Sequence, residues 1–174
     1  FADTVDFHFD APKVGIVGPN GCGKSNVVDA AKWVLGERSA KSLRGGAMLD
    51  VIFAGSAGRK PLGMASVTLT FENPIVDETA TIEAGRRALA MDTEVVRVGR
   101  RLYRDGRSEY LINDRKVRLK DVKDLFLDTG IGNAAYCIIE QGRVASMLQA
   151  SPIERRTILE EAAGVAKFKL RRVE

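Results

Sequence analysis

A chain of 174 residues, 45% hydrophobic and 29% charged, suits one medium domain or two intimate lobes, and excludes a disordered tail or a fibrous repeat. Two cysteines, Cys22 and Cys137, are too few for a disulfide scaffold, so a reducing compartment is the expected setting. No window approaches the roughly 18 uninterrupted apolar residues of a membrane span, and a net charge of +4 is compatible with nucleic acid without requiring it.

The chain opens at Phe1-Ala2-Asp3 with neither an initiator Met nor a basic-then-apolar leader, so a trimmed start without a secretion signal is expected. Val5 to Phe9 alternates apolar and polar residues, which predicts a half-buried strand. Lys13 to Val17 is short, apolar and β-branched, which predicts a buried strand. Glycine-rich sequence follows from Gly18 to Gly23. Helical spacing of Val27, Val28, Ala31, Val34 and Leu35 then predicts a helix over Ser25–Leu35, stopped by Gly36.

Val67, Leu69 and Phe71 form a strand ended by Asn73-Pro74. Val96, Val98, Leu102-Tyr103 and Tyr110-Leu111-Ile112 surround the turn signals Asp105-Gly106 and Asn113-Asp114. The expectation is an antiparallel meander lying beside the strand that precedes the glycine loop. Leu119 to Phe126 is a short amphipathic helix, and Tyr136 to Ile139 reads as a buried strand. Ser151-Pro152-Ile153-Glu154 is a capping box with proline at the first helical position. The residues after Gly164 are amphipathic and densely charged.

Gly18 to Ser25 spells G-x-x-x-x-G-K-S between an expected strand and an expected helix, the context in which this spacing cradles phosphate. Glycines leave backbone N–H groups free to converge on phosphate oxygens, and the helix start adds the positive end of its dipole. Lys24 would bridge the β- and γ-phosphates, and the Ser25 hydroxyl would ligate Mg²⁺. A complete hydrolase of this kind also needs a carboxylate at a strand end. Glu140, at the end of Tyr136-Cys137-Ile138-Ile139, offers one, in which case the chain is a self-contained NTPase or kinase. The other reading is that the hydrolytic half is missing.

The combination Gly18-Pro19-Asn20-Gly21-Cys22-Gly23-Lys24-Ser25-Asn26, Trp33 to Glu37, Ser39 to Gly45, Asp50 to Ser56, Ile139 to Gly142 and Arg155 to Gly164 resembles the N-terminal head segment of structural maintenance of chromosomes (SMC) proteins, in particular the bacterial condensin type. The resemblance covers essentially the whole chain. It implies an α/β fold: one lobe of an ABC-type ATPase head, with a mixed sheet, an antiparallel meander and flanking helices over residues 1–164, and the start of a coiled-coil arm over residues 165–174. It implies ATP and Mg²⁺ as ligands. Hydrolysis would need a C-terminal lobe of the same head, carrying the metal-binding Asp, the catalytic Glu and the signature motif, and a second head in a homodimer. This segment alone is expected to be inactive.

By position, Gln141 matches the glutamine that contacts Mg²⁺ and the attacking water, and Arg44 matches an arginine that reaches the nucleotide and couples to DNA. Without the resemblance, Gln141 reads as a surface residue ending a strand and Arg44 as a solvated loop residue. Asn20 and Asn26 would hydrogen-bond phosphates. Cys22 stands where the family often has Ser, and Arg38 where many members have Gln. The other partners implied are a kleisin-type subunit with its accessory protein and double-stranded DNA bound without base reading. A membrane is not implied, and the implied location is the cytoplasm and nucleoid. A split-head recombination or repair ATPase fits the phosphate loop as well, but accounts less well for Leu35 to Arg44 and Asp50 to Ser56.

Arg97, Arg100, Arg101, Arg104 and Arg107, followed by Arg115, Lys116, Arg118, Lys120 and Lys123, could neutralise nucleic-acid phosphates. The interleaved Glu94, Asp105, Glu109, Asp114, Asp121 and Asp124 equally suit a solvated, self-compensating face. His8 and the cysteines lack metal-ligand spacing.

Overall fold

The computed structural model describes residues 1–11, 13–43, 45–76, 79, 87–126, 151 and 156. Its centre is a four-stranded antiparallel sheet in the order β1-β2-β3-β4, formed by Met64–Glu72, Val95–Tyr103, Ser108–Ile112 and Arg115–Val117. Two helices, α1 (Lys24–Val34) and α2 (Leu119–Phe126), flank it. The expected meander and the helices expected at Ser25–Leu35 and Leu119–Phe126 are therefore present.

The two hairpin turns form by different devices. Asn113 and Asp114 both have positive φ, 46° and 64°, between the paired residues Ile112 and Arg115. That is a two-residue turn of the primed type, whose twist suits a hairpin. The β2–β3 connection is longer: the Gly106 N–H donates to the Tyr103 carbonyl, and Gly106 takes the left-handed position at φ 85°.

Alternation along β1 and β2 sorts the side chains. Val67, Leu69, Phe71, Val96 and Val98 face the helices and pack with Val34, Val122, Leu125 and Phe126. Phe71 meets Phe126 edge-on at 5.3 Å between ring centroids. A second cluster, Trp33, Leu43, Ile52 and Leu102, lies under the loop that follows α1, and Val67 touches both clusters.

Helix α1 ends in a Schellman motif. The Gly36 N–H donates to the Trp33 carbonyl (3.2 Å) and the Glu37 N–H to the Lys32 carbonyl (3.0 Å), with Gly36 at φ 109°. The expected glycine stop is thus realised as a left-handed cap.

The N-terminal strands are a correction. Residues Val5 to Phe9 and Lys13 to Val17 adopt irregular backbone with exposed side chains, Val17 at 91%. No described strand pairs with them, so the meander does not extend onto the segment before the glycine loop, and among the described residues the sheet is wholly antiparallel. β-propensity expresses itself only where an edge is available to pair with. Phe1, Phe7 and Phe9 gather instead into an aromatic file with centroid spacings of 6.3 and 6.4 Å. The strand expected at Tyr136–Ile139 and the residues after Gly164 lie outside the described residues, and of the capping-box helix only Ser151 and Arg156 are described.

Candidate functional site

The glycine loop runs exposed from Gly18 and delivers the chain into α1 at Lys24. Gly21 and Gly23 have φ of 82° and 97°, a conformation that L side chains rarely adopt. At Gly21 a Cβ would meet open space, so the backbone conformation alone demands glycine there. At Gly18 a Cβ would lie 2.9 Å from the Cys22 sulfur, the end of an exposed side chain that can turn aside. The Asn26 N–H closes the first helical turn on the Gly23 carbonyl at 2.9 Å.

Lys24 curls back over the loop, and its Nζ donates to the carbonyls of Gly18 (2.7 Å) and Pro19 (2.8 Å). A phosphate oxygen would compete with these carbonyls for the same ammonium, with the advantage that donor and acceptor are then both charged. Ser25 lies exposed in the first turn of α1, and Cys22 is an exposed free thiol. Among the described residues, no three His, Cys, Asp or Glu side chains converge to cage a metal. The donors present suit Mg²⁺, which keeps several waters and binds through phosphate oxygens and few protein groups.

Arg44 and Gln141, the two residues given catalytic roles by resemblance, lie outside the described residues, as does Glu140. The chain on either side of Arg44 is described. Leu43 is buried in the second core cluster, and the Gly45 N–H donates to the Ala40 carbonyl at 2.9 Å. The preceding turn is organised by Glu37. One oxygen of its carboxylate accepts the N–H groups of Arg38 and Ser39, both at 2.7 Å, and the other accepts the Ser42 hydroxyl at 2.9 Å. The Ser39 amide bond is the main cause that holds this carboxyl below its ordinary range, against the opposing effect of burial. The Lys32 ammonium donates to the Ser42 carbonyl at 2.9 Å.

The basic cluster does not form one free patch. Arg97 pairs with Asp114 at 2.5 Å, Lys116 with Glu109 at 2.7 Å, Arg118 with Asp121 at 3.5 Å, and Arg107 with Asp105 at 3.9 Å. Arg104 spends its guanidinium on the carbonyls of Leu62 (2.6 Å) and Phe53 (2.9 Å), clamping the Asp50–Ser56 stretch to the sheet. Arg100 is 4% exposed and faces the core. The self-compensating face therefore describes four of the ten, Arg97, Arg107, Lys116 and Arg118. Sequence reasoning missed Arg100 as an interior residue, although the alternation Val96, Val98, Arg100, Leu102 places it in the inward register.

Residues 1–135 match the family model described as the RecF/RecN/SMC N terminal domain. Chromosome partition proteins Smc are 55% identical over 172 residues in Myxococcus xanthus and 50% identical over 172 residues in Bacillus subtilis, in each case covering 99% of this chain. The chain spans 14% of the length of these curated relatives. A solved structure from work on ATP-driven dimerization and DNA-stimulated activation of SMC ATPases superposes with a TM-score of 0.74 at 35% identity, covering 88% of this chain and 86% of that one. The Smc head domain of Pyrococcus furiosus, bound to the C-terminal domain of ScpA, gives 0.72 at 33% identity, covering 88% of this chain and 36% of that one.

Proposed function

Because this chain belongs to the RecF/RecN/SMC N-terminal domain family, we propose that it is the N-terminal part of an SMC ATPase head that binds ATP-Mg²⁺ through Gly18–Asn26. The observation that carries this reading is the loop itself: two left-handed glycines, an exposed backbone and a lysine folded over it, opening directly into α1. Gly18, Pro19, Asn20, Gly21, Cys22 and Gly23 supply the cradle. Lys24 exchanges its loop carbonyls for phosphate oxygens, and Asn20 and Asn26 add hydrogen bonds. Ser25 and Gln141 are the residues that would hold Mg²⁺, which when bound neutralises phosphate charge and orients the γ-phosphoryl group.

In this proposal Gln141 orients the attacking water, with its carbonyl toward metal and its NH₂ as donor. Arg44 reaches the nucleotide and couples hydrolysis to DNA. Residues 1–164 form the lobe and residues 165–174 begin the arm. The C-terminal lobe, a second head, a kleisin-type subunit with its accessory protein, and DNA held without base reading complete the machine, which acts on the chromosome in the cytoplasm. The exposed apolar side chains of Val14, Ile16 and Val17 give the C-terminal lobe a surface to cover. Among the described residues no helix is long and apolar enough to cross a membrane.

The test is calorimetric titration of ATP-Mg²⁺ into the full-length protein and its Lys24→Ala variant, with turnover measured in parallel for the segment alone. Tight binding lost by at least about a hundredfold in the variant, with no turnover by the lone segment, is expected. Undiminished affinity in the variant, or steady hydrolysis by the segment, overturns the reading.

A further inference from the structure

Arg100 sits inside the protein on the inward register of β2, where a guanidinium is costly unless its donors are matched. Three of its five N–H groups have partners, two of them at the end of α1. Its Nη1 donates to the Trp33 carbonyl (2.8 Å) and the Glu37 carbonyl (2.7 Å), and its Nε donates to the Ser108 hydroxyl (3.3 Å). The guanidinium also lies between two rings, 4.7 Å from the Trp33 centroid and 4.8 Å from that of Tyr110. The two carbonyls belong to the last turn of α1 and to the residue just past its glycine cap, the negative end of the helix dipole. From that point the chain is fixed by Glu37, Ser42 and Lys32 until Leu43 enters the core. The phosphate loop stands at the other end of the same short helix.

We propose that Arg100 is a positioning residue. It fastens the end of α1 and the 37–43 turn to the sheet, and the function given to Arg44, the next residue in the chain, depends on that turn. This rests on the role given to Arg44 above. Lysine cannot replace it, because an ammonium neither lies flat between two rings nor presents a planar set of donors.

The test uses the full-length protein with Arg100→Lys, with Tyr110→Leu as a gentler variant that removes one ring and no charge, with Arg44→Ala, and with Arg100→Lys combined with Arg44→Ala. Arg100→Lys is expected to accelerate hydrogen exchange across residues 37–46 by about tenfold and to leave ATP-Mg²⁺ affinity within about threefold. It should also cut the DNA-stimulated increment of hydrolysis by about tenfold, with no further loss in the Arg44→Ala background. Tyr110→Leu should move each readout in the same direction by less. Unchanged exchange over 37–46 overturns the positioning role outright. Additive losses in the double variant, or ATP affinity falling in step with exchange, overturn the link to Arg44. If Arg44→Ala alone spares the DNA-stimulated increment, the reading of Arg44 falls, and the exchange result still decides whether Arg100 holds the turn.

Discussion

Asn73 gives the sharpest test of how the long β1–β2 connection is held. Its side chain is 1% exposed, and Nδ2 points at three carbonyls, of Thr93 (2.9 Å), Met91 (3.0 Å) and Leu89 (3.3 Å). Its Oδ1 accepts the Leu89 N–H at 2.6 Å. Two amide hydrogens and one carbonyl give three effective bonds at about 1 kcal/mol each, so Asn73→Ala should cost about 3 kcal/mol of local stability. Asn73→Asp keeps the shape and the acceptor but turns an ionised oxygen toward carbonyls that had faced a donor. It should cost at least as much as alanine, since a buried charge without donors is worse than a missing group. The assay is hydrogen exchange of the amides in 87–94 in the full-length protein, where a loss of that size accelerates exchange roughly a hundredfold. Asp protecting the amides of 87–94 other than that of Leu89 better than Ala would refute the reasoning, because it would mean that shape rather than donor pairing holds the connection.

Gly36→Ala should destabilise the protein by about 1–3 kcal/mol, because φ is 109° and the new Cβ would lie 2.6 Å from the flexible end of Leu119. Gly106→Ala, at φ 85° with open space around it, should cost only the backbone strain, and the two are compared by thermal unfolding. Glu37 adds a pH dependence. Its folded-state pKa is depressed, chiefly by the Ser39 amide, so the stability it lends is present above the ordinary glutamate value and lost as pH falls through the lower folded value. Exchange over 37–43, corrected for the intrinsic rate, should therefore rise on acidification below the usual carboxylate range. Glu37→Gln should remove that dependence, and a flat wild-type profile would contradict it.

Local signals carried much of the architecture. The glycine loop's conformation was legible because its glycines act on their own backbone, and α1 and α2 because their apolar spacing is a property of a few consecutive turns. Asp105-Gly106 and Asn113-Asp114 named their turns for the same reason. What the chain by itself could not decide was which groups find partners. Val14, Ile16 and Val17 have a strand's composition, yet pairing depends on an edge that other residues must bring. Arg100 stood in a run of five arginines that read alike. Only the packing of α1 across β2 set Trp33 and Glu37 against it, and the β2–β3 register set Tyr110 beside it, while Arg97, Arg104 and Arg107 were left to exposed carboxylates or loop carbonyls. Asn73 likewise read as the end of a strand, and only the return of the chain near Leu89 made its amide the hub of four contacts. Periodicity reports which face a residue occupies, whereas the matching of a buried donor to its acceptor is settled by residues distant in sequence, and the tertiary structure alone brings those together.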